Sequence, residues 1–457
     1  MNATATAPSA PAAGTTKLHA RDIADGVRRG ELDAVAVVRD HLERIAALDG
    51  QLHAFTVVRE HQALQEAEEL SRRADLDTLP LAGVPVAVKE NMHVVGHPTL
   101  HGSAALQHRH AHSDSIIVRR LRDAGAIVIG KTAMSELAIW PFTEGPGWAT
   151  RNPLNPERTC GGSSGGSAVA VASGMAALAT ATDGGGSTRI PAACCGIVGV
   201  KTTRGAVPLP DGAHDHWYGL SVAGPLARDV HDAALMLDVL TGRRPPRLRM
   251  QQLPHNLQVA MSVRNPVAGA PVDREVKDAV RRVAYYLAAA GHDVVEANPP
   301  YPQLPVTFLR SYLAGIAEDA EALGLDLDAA EPRTRAMAQR GQWLRRRGLD
   351  RHAASHGVAY RLQRWMAQRD VLVTPVLAYP PPKVGRWKDG GWFRTALSVG
   401  RWMGFCPPWN LAGCPAVVVP VAHDRDGLAI GVQLVGAPAS ERLLLAVAAA
   451  VEESAPH

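Results

Sequence analysis

One stretch of the sequence constrains the fold more than any other. Residues 160–195 read CGGSSGGSAVAVASGMAALATATDGGGSTRIPAACC and place two serines, Ser163 and Ser187, in separate glycine-flanked loops. Apolar residues such as Val169 and Met175 lie between the two loops. A flexible linker is rich in glycine and serine, and apolar side chains of this kind are not expected in one. The stretch therefore predicts a packed site rather than a tether.

The segments around this stretch alternate between strand and helix patterns. Residues 81–88 form an apolar run that ends at Lys89, and residues 126–130 form a second run that ends at Lys131, with a helical pattern between them. This alternation is typical of a doubly wound α/β sheet. Further short strands are predicted at residues 371–375, 416–421 and 429–435. The fold class is therefore predicted to be α/β, with a mixed β-sheet covered by helices on both faces.

The start of the chain has a different character. Residues 1–16 are mostly Ala, Thr and Pro and lack the basic and apolar regions of a signal peptide, so they are predicted to be a disordered tail. Residues 18–48 carry apolar side chains at helical spacing, broken at Arg29, with Asp33 placed to cap a second helix. Length alone, at 457 residues, leaves one large domain or two open.

Composition and charge exclude several classes of partner. The 48 basic residues nearly balance the 44 acidic ones, so the net charge of +4 gives no reason to expect nucleic acid. No apolar run reaches the ~18 residues that a membrane span needs, so no membrane partner is expected. Without a signal peptide, the expected compartment is the cytoplasm. The sequence is compatible with a homodimer.

The two serines have different local contexts. Ser163 formally satisfies the G-x-S-x-G nucleophile elbow, but that motif needs a strand directly before the serine, and residues 151–156 are a loop with two prolines. Ser187 follows a predicted short strand at residues 176–182 and a triple glycine. Glycines permit a turn whose backbone N–H groups point to one position. The predicted oxyanion hole consists of Gly184, Gly185 and Gly186.

A serine nucleophile needs a base that accepts its proton. None of the 19 histidines lies in a recognisable Asp/His/Ser pattern. Lys89 ends an apolar strand, where burial would lower its pKa and leave the amine neutral, although the pattern also fits an ordinary lysine at a strand end. No lysine lies in an S-x-x-K motif, and no metal-ligand spacing such as H-E-x-x-H occurs, so no metal is expected.

A set of motifs in fixed order carries a family resemblance. The chain resembles the amidase signature family of Ser-Ser-Lys amide hydrolases. The matching motifs are GVPVAVKEN at 83–91, GGSSGGS at 161–167, the segments 183–191, 199–202 and 224–228, NLAG at 410–413 and GVQL at 431–434. The resemblance implies a single amidase signature domain over residues 17–457, with the core of the signature at about residues 80–230.

The resemblance also implies a catalytic mechanism. Ser187 attacks the amide carbonyl, Ser163, which the family places on a cis peptide, relays the proton, and Lys89 accepts it while neutral. Backbone N–H groups of residues 184–187 would stabilise the oxyanion. Water then hydrolyses the acyl-enzyme by the reverse path. Neither a metal nor an organic cofactor is implied.

Three further residues are implied as a supporting network: Ser164, Asp183 and Arg189. Asp183 and Arg189 also fit a purely structural ion pair, and in some family members an arginine near this position contacts a substrate carboxylate. Gly184 occupies a position where the family usually has threonine or isoleucine. Backbone donation survives this change, but a looser loop is expected.

The implied substrate is a small-molecule carboxamide, hydrolysed to a carboxylate and ammonia or an amine. The glutaminase subunit of a glutamine-dependent aminoacyl-tRNA amidotransferase shares the signature and is the alternative function. Aromatic residues in the variable loops favour the amidase, with an apolar or aromatic acyl group, although core packing would also explain some of them. The predicted pocket residues are Trp140, Phe142, Thr143, Trp217 and Trp409.

Overall fold

A mixed sheet runs through the chain and carries helices between its strands. A computed structural model of the chain describes residues 14–209, 215–243, 253–301, 304–352 and 357–454. The strands are β1 Phe55–Val58, β2 Pro85–Lys89, β3 Ile127–Thr132, β4 Glu144–Gly145, β5 Trp148–Ala149, β6 Leu178–Asp183, β7 Val198–Lys201, β8 Val222–Ala227, β9 Gln258–Met261, β10 Asp293–Glu296, β11 Val371–Pro375, β12 Ala416–His423 and β13 Ala429–Val435. The helices are α1 Ala20–Arg28, α2 Ala34–Leu52, α3 Glu60–Ser71, α4 Ile116–Asp123, α5 Gly165–Ala172, α6 Arg189–Cys195, α7 Val230–Thr241, α8 Arg274–Ala289, α9 Leu304–Ala322, α10 Pro332–Arg346, α11 Gly357–Met366, α12 Trp392–Met403, α13 Pro407–Ala412 and α14 Glu441–Ser454.

Eleven of these strands form one sheet in the order β1-β3-β2-β6-β8-β7-β12-β13-β11-β9-β10. β3, β2 and β6 are parallel neighbours, as are β11, β9 and β10. The strands between these two groups, and β1 at one edge, pair antiparallel. The prediction of a mixed α/β sheet is therefore confirmed.

The sheet is buried on both of its faces. Every residue of β2, β3, β6, β8 and β13 is buried. Successive side chains of a strand point to opposite faces, so an uninterrupted buried strand requires cover on both sides. The predicted helical cover on both faces is confirmed.

The N-terminal helices follow their sequence signals. The two predicted helices are α1 and α2, and the Asp33 side chain accepts a hydrogen bond from the Val35 N–H at the start of α2. Of the predicted tail, residues 1–13 lie outside the described residues. Its last residues are part of the fold, since the backbone N–H and the hydroxyl of Thr15 donate to Asp40 at 2.9 and 2.8 Å. No helix in the described ranges is long and apolar enough to cross a membrane.

The parallel pairing of β2 with β6 positions the functional residues. Val86 of β2 lies opposite Leu178 of β6, so both strands run toward the same edge of the sheet. Lys89 is the last residue of β2, and Asp183 is the last residue of β6. Because carboxyl ends of neighbouring parallel strands lie together, this edge brings Lys89 close to the segment that contains Ser187.

Candidate active site

Lys89 is completely buried at the end of β2. Its Nζ lies 2.8 Å from Ser163 Oγ and 2.7 Å from Thr182 Oγ1. Both partners are hydroxyls, so no carboxylate offsets the cost of burying a positive charge here. Burial lowers the pKa of Lys89 to about 7, against an opposing effect of the Asp183 charge. A neutral amine is therefore available at neutral pH.

Ser163 lies in an irregular loop that joins residue 160 to α5. The peptide bond between Gly162 and Ser163 is cis. Thr143 holds the loop from outside: its hydroxyl donates to the Gly161 carbonyl at 3.0 Å and accepts from the Gly165 N–H at 3.1 Å. A Cβ at Gly165 would lie 2.2 Å from Thr143 Oγ1, so only glycine allows this approach. Residues 150–162, directly before Ser163, belong to none of the strands of the fold, as the sequence context of this serine predicts.

Ser187 follows β6 and is half-buried. It lines a small cavity of about 50 Å³ together with Ser163, Thr182 and Gly184. Within the described part of the chain its hydroxyl makes no hydrogen bond. The Ser164 N–H donates to the Ser187 carbonyl at 3.3 Å, which ties the two serine loops together. The structure thus brings Lys89, Ser163 and Ser187 to one site.

Asp183 and Arg189 form a buried ion pair beneath this site. Arg189 Nε and Nη2 donate to the two Asp183 carboxylate oxygens, each at 3.0 Å. The remaining guanidinium N–H groups donate to Cys406, Gln433 and Asn410. Burial raises the pKa of Asp183, but the charge and hydrogen bonds of Arg189 outweigh it and hold that pKa well below its usual range. Every donor of Arg189 is used inside the protein, so none is left for a substrate carboxylate.

The Asp183 carboxylate also binds one of the amides that are predicted to form the oxyanion hole. Asp183 Oδ1 accepts the Gly186 N–H at 2.7 Å, so that amide is engaged away from the cavity. The N–H groups of Gly184, Gly185 and Ser187 have no hydrogen-bond partner among the described residues. These three amides, rather than Gly186, are the ones free to bind an oxyanion.

The loop that contains Gly184 is contacted by Asn410 and Trp217. Asn410 Nδ2 donates to the Asp183 carbonyl at 2.9 Å and to the Leu220 carbonyl at 3.1 Å. The Trp217 indole packs directly on Gly184, since a Cβ there would lie only 2.8 Å from Cε3 of the ring. These are the tertiary contacts of the loop at the position where the family usually has threonine or isoleucine.

Of the five predicted pocket residues, only Trp217 lines the cavity. Trp140 and Phe142 stack on each other at 5.7 Å, and Phe142 stacks on Trp387 at 4.9 Å, in a separate aromatic cluster. Thr143 supports the Ser163 loop. Trp409 is completely buried in α13. These four residues serve packing or loop support instead of facing the serines.

Several residues at the site carry no signal in the sequence. The cavity is also lined by Asn91, His101, Leu137, Ala138, Leu209, His216, Ser221 and Asp319. Burial lowers the pKa of His101 to about 4, so this ring is neutral at pH 7. Thr182 could have been found, because it lies in the predicted strand just before the triple glycine. Asp319 could not, since it reaches the site from a helix far along the chain.

One group of potential metal ligands occurs away from this site. His19, Asp229 and Asp232 place ligand atoms within 4.8 Å of one another. Arg21 Nη1 already donates to Asp229 at 2.7 Å and to Asp232 at 3.2 Å. The Ala20 N–H also donates to Asp232 at 2.7 Å. These contacts identify the group as a capped helix start whose carboxylates are already paired.

The chain is similar to several known proteins over nearly its whole length. A model of the family described as Amidase matches residues 36–445. AmiB2 of Mycobacterium tuberculosis, named as an amidase, is 42% identical over 449 residues, covering 96% of this chain and 95% of that protein. A Pseudomonas 6-aminohexanoate-cyclic-dimer hydrolase is 33% identical over 476 residues, covering 95% and 94%. The solved structure of 6-aminohexanoate cyclic dimer hydrolase complexed with substrate gives a TM-score of 0.82 at 29% identity, covering 97% and 98%.

Proposed function

The chain belongs to the amidase family and is a hydrolase that acts on amide bonds, and from this premise we propose that it cleaves a small carboxamide through an acyl-enzyme on Ser187. The products are a carboxylate and ammonia or an amine. One observation carries the proposal. A fully buried lysine, its pKa lowered to about 7, lies 2.8 Å from a serine hydroxyl that shares a cavity with a second serine.

The proton path follows from the order of these groups. Ser187 Oγ attacks the amide carbon while its proton passes to Ser163 Oγ, and the Ser163 proton passes to neutral Lys89 Nζ. When the C–N bond breaks, Ser163 returns a proton to the leaving nitrogen and regains one from Lys89. Water then adds to the acyl-enzyme by the same path and releases the carboxylate. The negative charge of the oxyanion is balanced by the ammonium that Lys89 becomes, so the net charge of the site and its substrate does not change along the path.

That oxyanion is the species the glycine loop would stabilise. The N–H groups of Gly184, Gly185 and Ser187 are free for this purpose, whereas the Gly186 N–H holds Asp183 in place. Removing one oxyanion donor from a hydrolase typically costs about 10²–10³-fold in kcat. Asp183 and Arg189 act as positioning residues that shape the loop from below.

The decisive experiment compares Ser187→Ala with the wild-type protein on a panel of aliphatic and aryl amides. Ammonia release by Ser187→Ala should fall by more than ~10³-fold, because no other group can form the acyl-enzyme. A matched control is Ser173→Ala, since Ser173 is also buried but its hydroxyl donates to the Val169 and Ala170 carbonyls of α5 and does not line the cavity. Retained activity in Ser187→Ala, or equal loss in Ser173→Ala, would refute the assignment.

Glutamine in the same panel tests the glutaminase alternative. The relatives named above are amide hydrolases, and none of them favours that alternative. We therefore expect the protein alone to hydrolyse simple amides. Turnover of glutamine that appears only when partner subunits are added would replace the amidase proposal with the alternative.

A further inference from the structure

Trp217 is wedged between two glycines from distant parts of the chain. On one side its ring contacts Gly184, where a Cβ would lie 2.8 Å from Cε3 and 3.0 Å from Cζ3. On the other side its backbone contacts Gly315 in the middle of α9, where a Cβ would lie 2.7 Å from Trp217 Cα. A glycine inside a helix lowers the stability of the helix by roughly 1 kcal/mol relative to alanine. Glycine is nevertheless needed at position 315, because a larger residue would collide with Trp217.

One face of α9 is built around this tryptophan. Phe308, Tyr312, Gly315 and Asp319 recur at helical spacing and therefore share one face. The Tyr312 ring meets the indole edge-on at 5.0 Å and stacks on Phe308 at 5.0 Å. Phe308 in turn covers Gly185, where a Cβ would lie 2.9 Å from its ring. The helix thus packs against the triple glycine through aromatic side chains.

Polar contacts fix the plane of the indole. Trp217 Nε1 donates to Asp319 Oδ2 at 2.5 Å, and His216 Nε2 lies 2.9 Å from Asp319 Oδ1. The His216 ring stacks on the indole at 5.6 Å, and its Nδ1 lies 2.8 Å from Ser221 Oγ. Trp217 itself has a φ of 51°, a left-handed conformation that bulky residues rarely adopt. A side chain held this tightly in an unfavourable backbone conformation indicates a positioned functional group.

We propose that Trp217 is the specificity-determining residue of the site and forms the wall that limits the width of the substrate's acyl group. This inference rests on the proposed function. Ser163 returns the proton to the leaving nitrogen, so the acyl group lies on the other side of the carbonyl carbon. Trp217 packs on Gly184 rather than on the Ser163 loop. With the indole in place the cavity measures about 50 Å³, which leaves little room for a wide acyl group.

Trp217→Ala should widen the acyl pocket. We expect the ratio of kcat/KM for a branched or aryl acyl amide to that for a short linear amide to rise by about 10–200-fold, the range that pocket shape commonly provides. The measurement uses amide pairs that share the same leaving amine, so only acyl size varies. An unchanged ratio in an active, folded Trp217→Ala protein would overturn the proposal.

Trp387→Ala is the matched control. Trp387 is 4% exposed against 3% for Trp217, and its Nε1 also donates a hydrogen bond, to Ser398 at 3.0 Å, but it does not line the cavity. This variant should lose stability while keeping the wild-type ratio. If the ratio changes equally in both variants, general loosening explains it and the proposal is wrong. Failure of the proposed function itself would look different, because the wild-type protein would hydrolyse none of the amides.

A second pair of variants tests the fit between Trp217 and Gly184. Gly184 does not have a positive φ, so its backbone accepts alanine, and its closest obstacle is the Trp217 ring. Gly184→Ala should therefore lower Tm by a few degrees in the wild-type background and by much less when combined with Trp217→Ala. Equal drops in both backgrounds would show that Gly184 serves the backbone alone and would refute the coupling.

Discussion

Two neighbouring strands carry buried lysines, Lys89 and Lys131, that have different surroundings. Lys89 ends β2, and Lys131 lies on the adjacent parallel strand β3, opposite Val88. Among the described residues, Lys89 Nζ forms hydrogen bonds with the hydroxyls of Ser163 and Thr182 and with no carboxylate. Lys131 Nζ lies 3.6 Å from a Glu90 carboxylate oxygen and donates to the Pro98 carbonyl and to Thr99 Oγ1. The surroundings of the two lysines therefore differ by one carboxylate, that of Glu90, which lies beside Lys131.

That carboxylate gives the two lysines different tendencies to lose a proton. Burial lowers the pKa of both lysines, but at Lys131 the charge and hydrogen bond of Glu90 oppose the shift. Lys89 receives help only from the more distant charge of Asp183, which is itself paired with Arg189. A buried amine without a neighbouring carboxylate gives up its proton more readily than one that has a carboxylate beside it. Whether a lysine at this edge of the sheet can act as a base therefore depends on whether a carboxylate lies beside its amine.

Replacing each lysine by methionine should have the largest effects on activity and stability. Lys89→Met should lower kcat/KM by about 10²–10⁴-fold, the usual contribution of a general base. The buried site should tolerate the apolar side chain, because the uncompensated amine is removed together with its desolvation cost. The measurement is steady-state ammonia release, with Tm recorded to show that the variant is folded.

Lys131→Met is the paired control and should show the reverse pattern. It leaves Glu90 buried without its cation, which typically costs about 3–5 kcal/mol of stability. Its activity per folded molecule should fall less than about tenfold, since this lysine takes part in no proposed proton transfer. If Lys131→Met abolished activity while Lys89→Met retained it, the roles assigned to the two lysines would be reversed.

The sequence could predict both strands but could not separate the two lysines. Apolar, β-branched runs predict β2 and β3 because both are buried on two faces, and the prediction of the mixed sheet is confirmed. Each run ends in a lysine, so the local pattern is the same. What distinguishes them is tertiary: Thr182 reaches Lys89 from β6, and Glu90 turns toward Lys131 rather than toward its sequence neighbour.

The walls of the site were harder to predict than its serines. The glycine-flanked motifs point to Ser163 and Ser187 because the flanking glycines can be read directly from the local sequence. Composition cannot distinguish an aromatic residue in the core from one in a pocket, and Trp140 and Trp409 are packing residues. Trp217 faces the cavity because Asp319 holds it across 102 positions of sequence, a pairing without a local signature.

The dependence of activity on pH sharpens the contrast with Lys131. The base must be neutral, and the pKa of Lys89 is lowered to about 7, so kcat/KM should rise with pH through 7 and level off above about 8. Each pH unit below the pKa lowers the neutral fraction about tenfold. Stability should follow the same direction, because the unfolded chain binds the Lys89 proton more tightly and folding becomes easier as pH rises from 7 toward about 10. A rate that falls as pH rises through 7 would contradict the proposed base.

Titration of Lys201 would also change the activity near pH 7, so its effect has to be distinguished from that of Lys89. It is completely buried, burial and the Arg189 charge lower its pKa to about 7, and its Nζ donates to the carbonyls of Thr202 and Cys414. It does not line the cavity. A substitution next to the Lys89 amine and not next to Lys201 can show which lysine causes the change of activity with pH.

Thr182→Val is that substitution and has the smallest expected effect. It removes a hydroxyl 2.7 Å from Lys89 Nζ, and an ammonium loses more than a neutral amine when an acceptor disappears. The pKa of Lys89 should therefore fall further, moving the acid limb to lower pH by about half a unit to one unit. The plateau rate should fall about three- to tenfold, because a weaker base drives proton transfer less effectively. Thr180→Val is the matched control, since that hydroxyl lies on the same strand face but accepts the backbone N–H of Lys89 at 2.8 Å. It should lower stability without moving the limb, whereas an unmoved limb in Thr182→Val would assign the titration to Lys201.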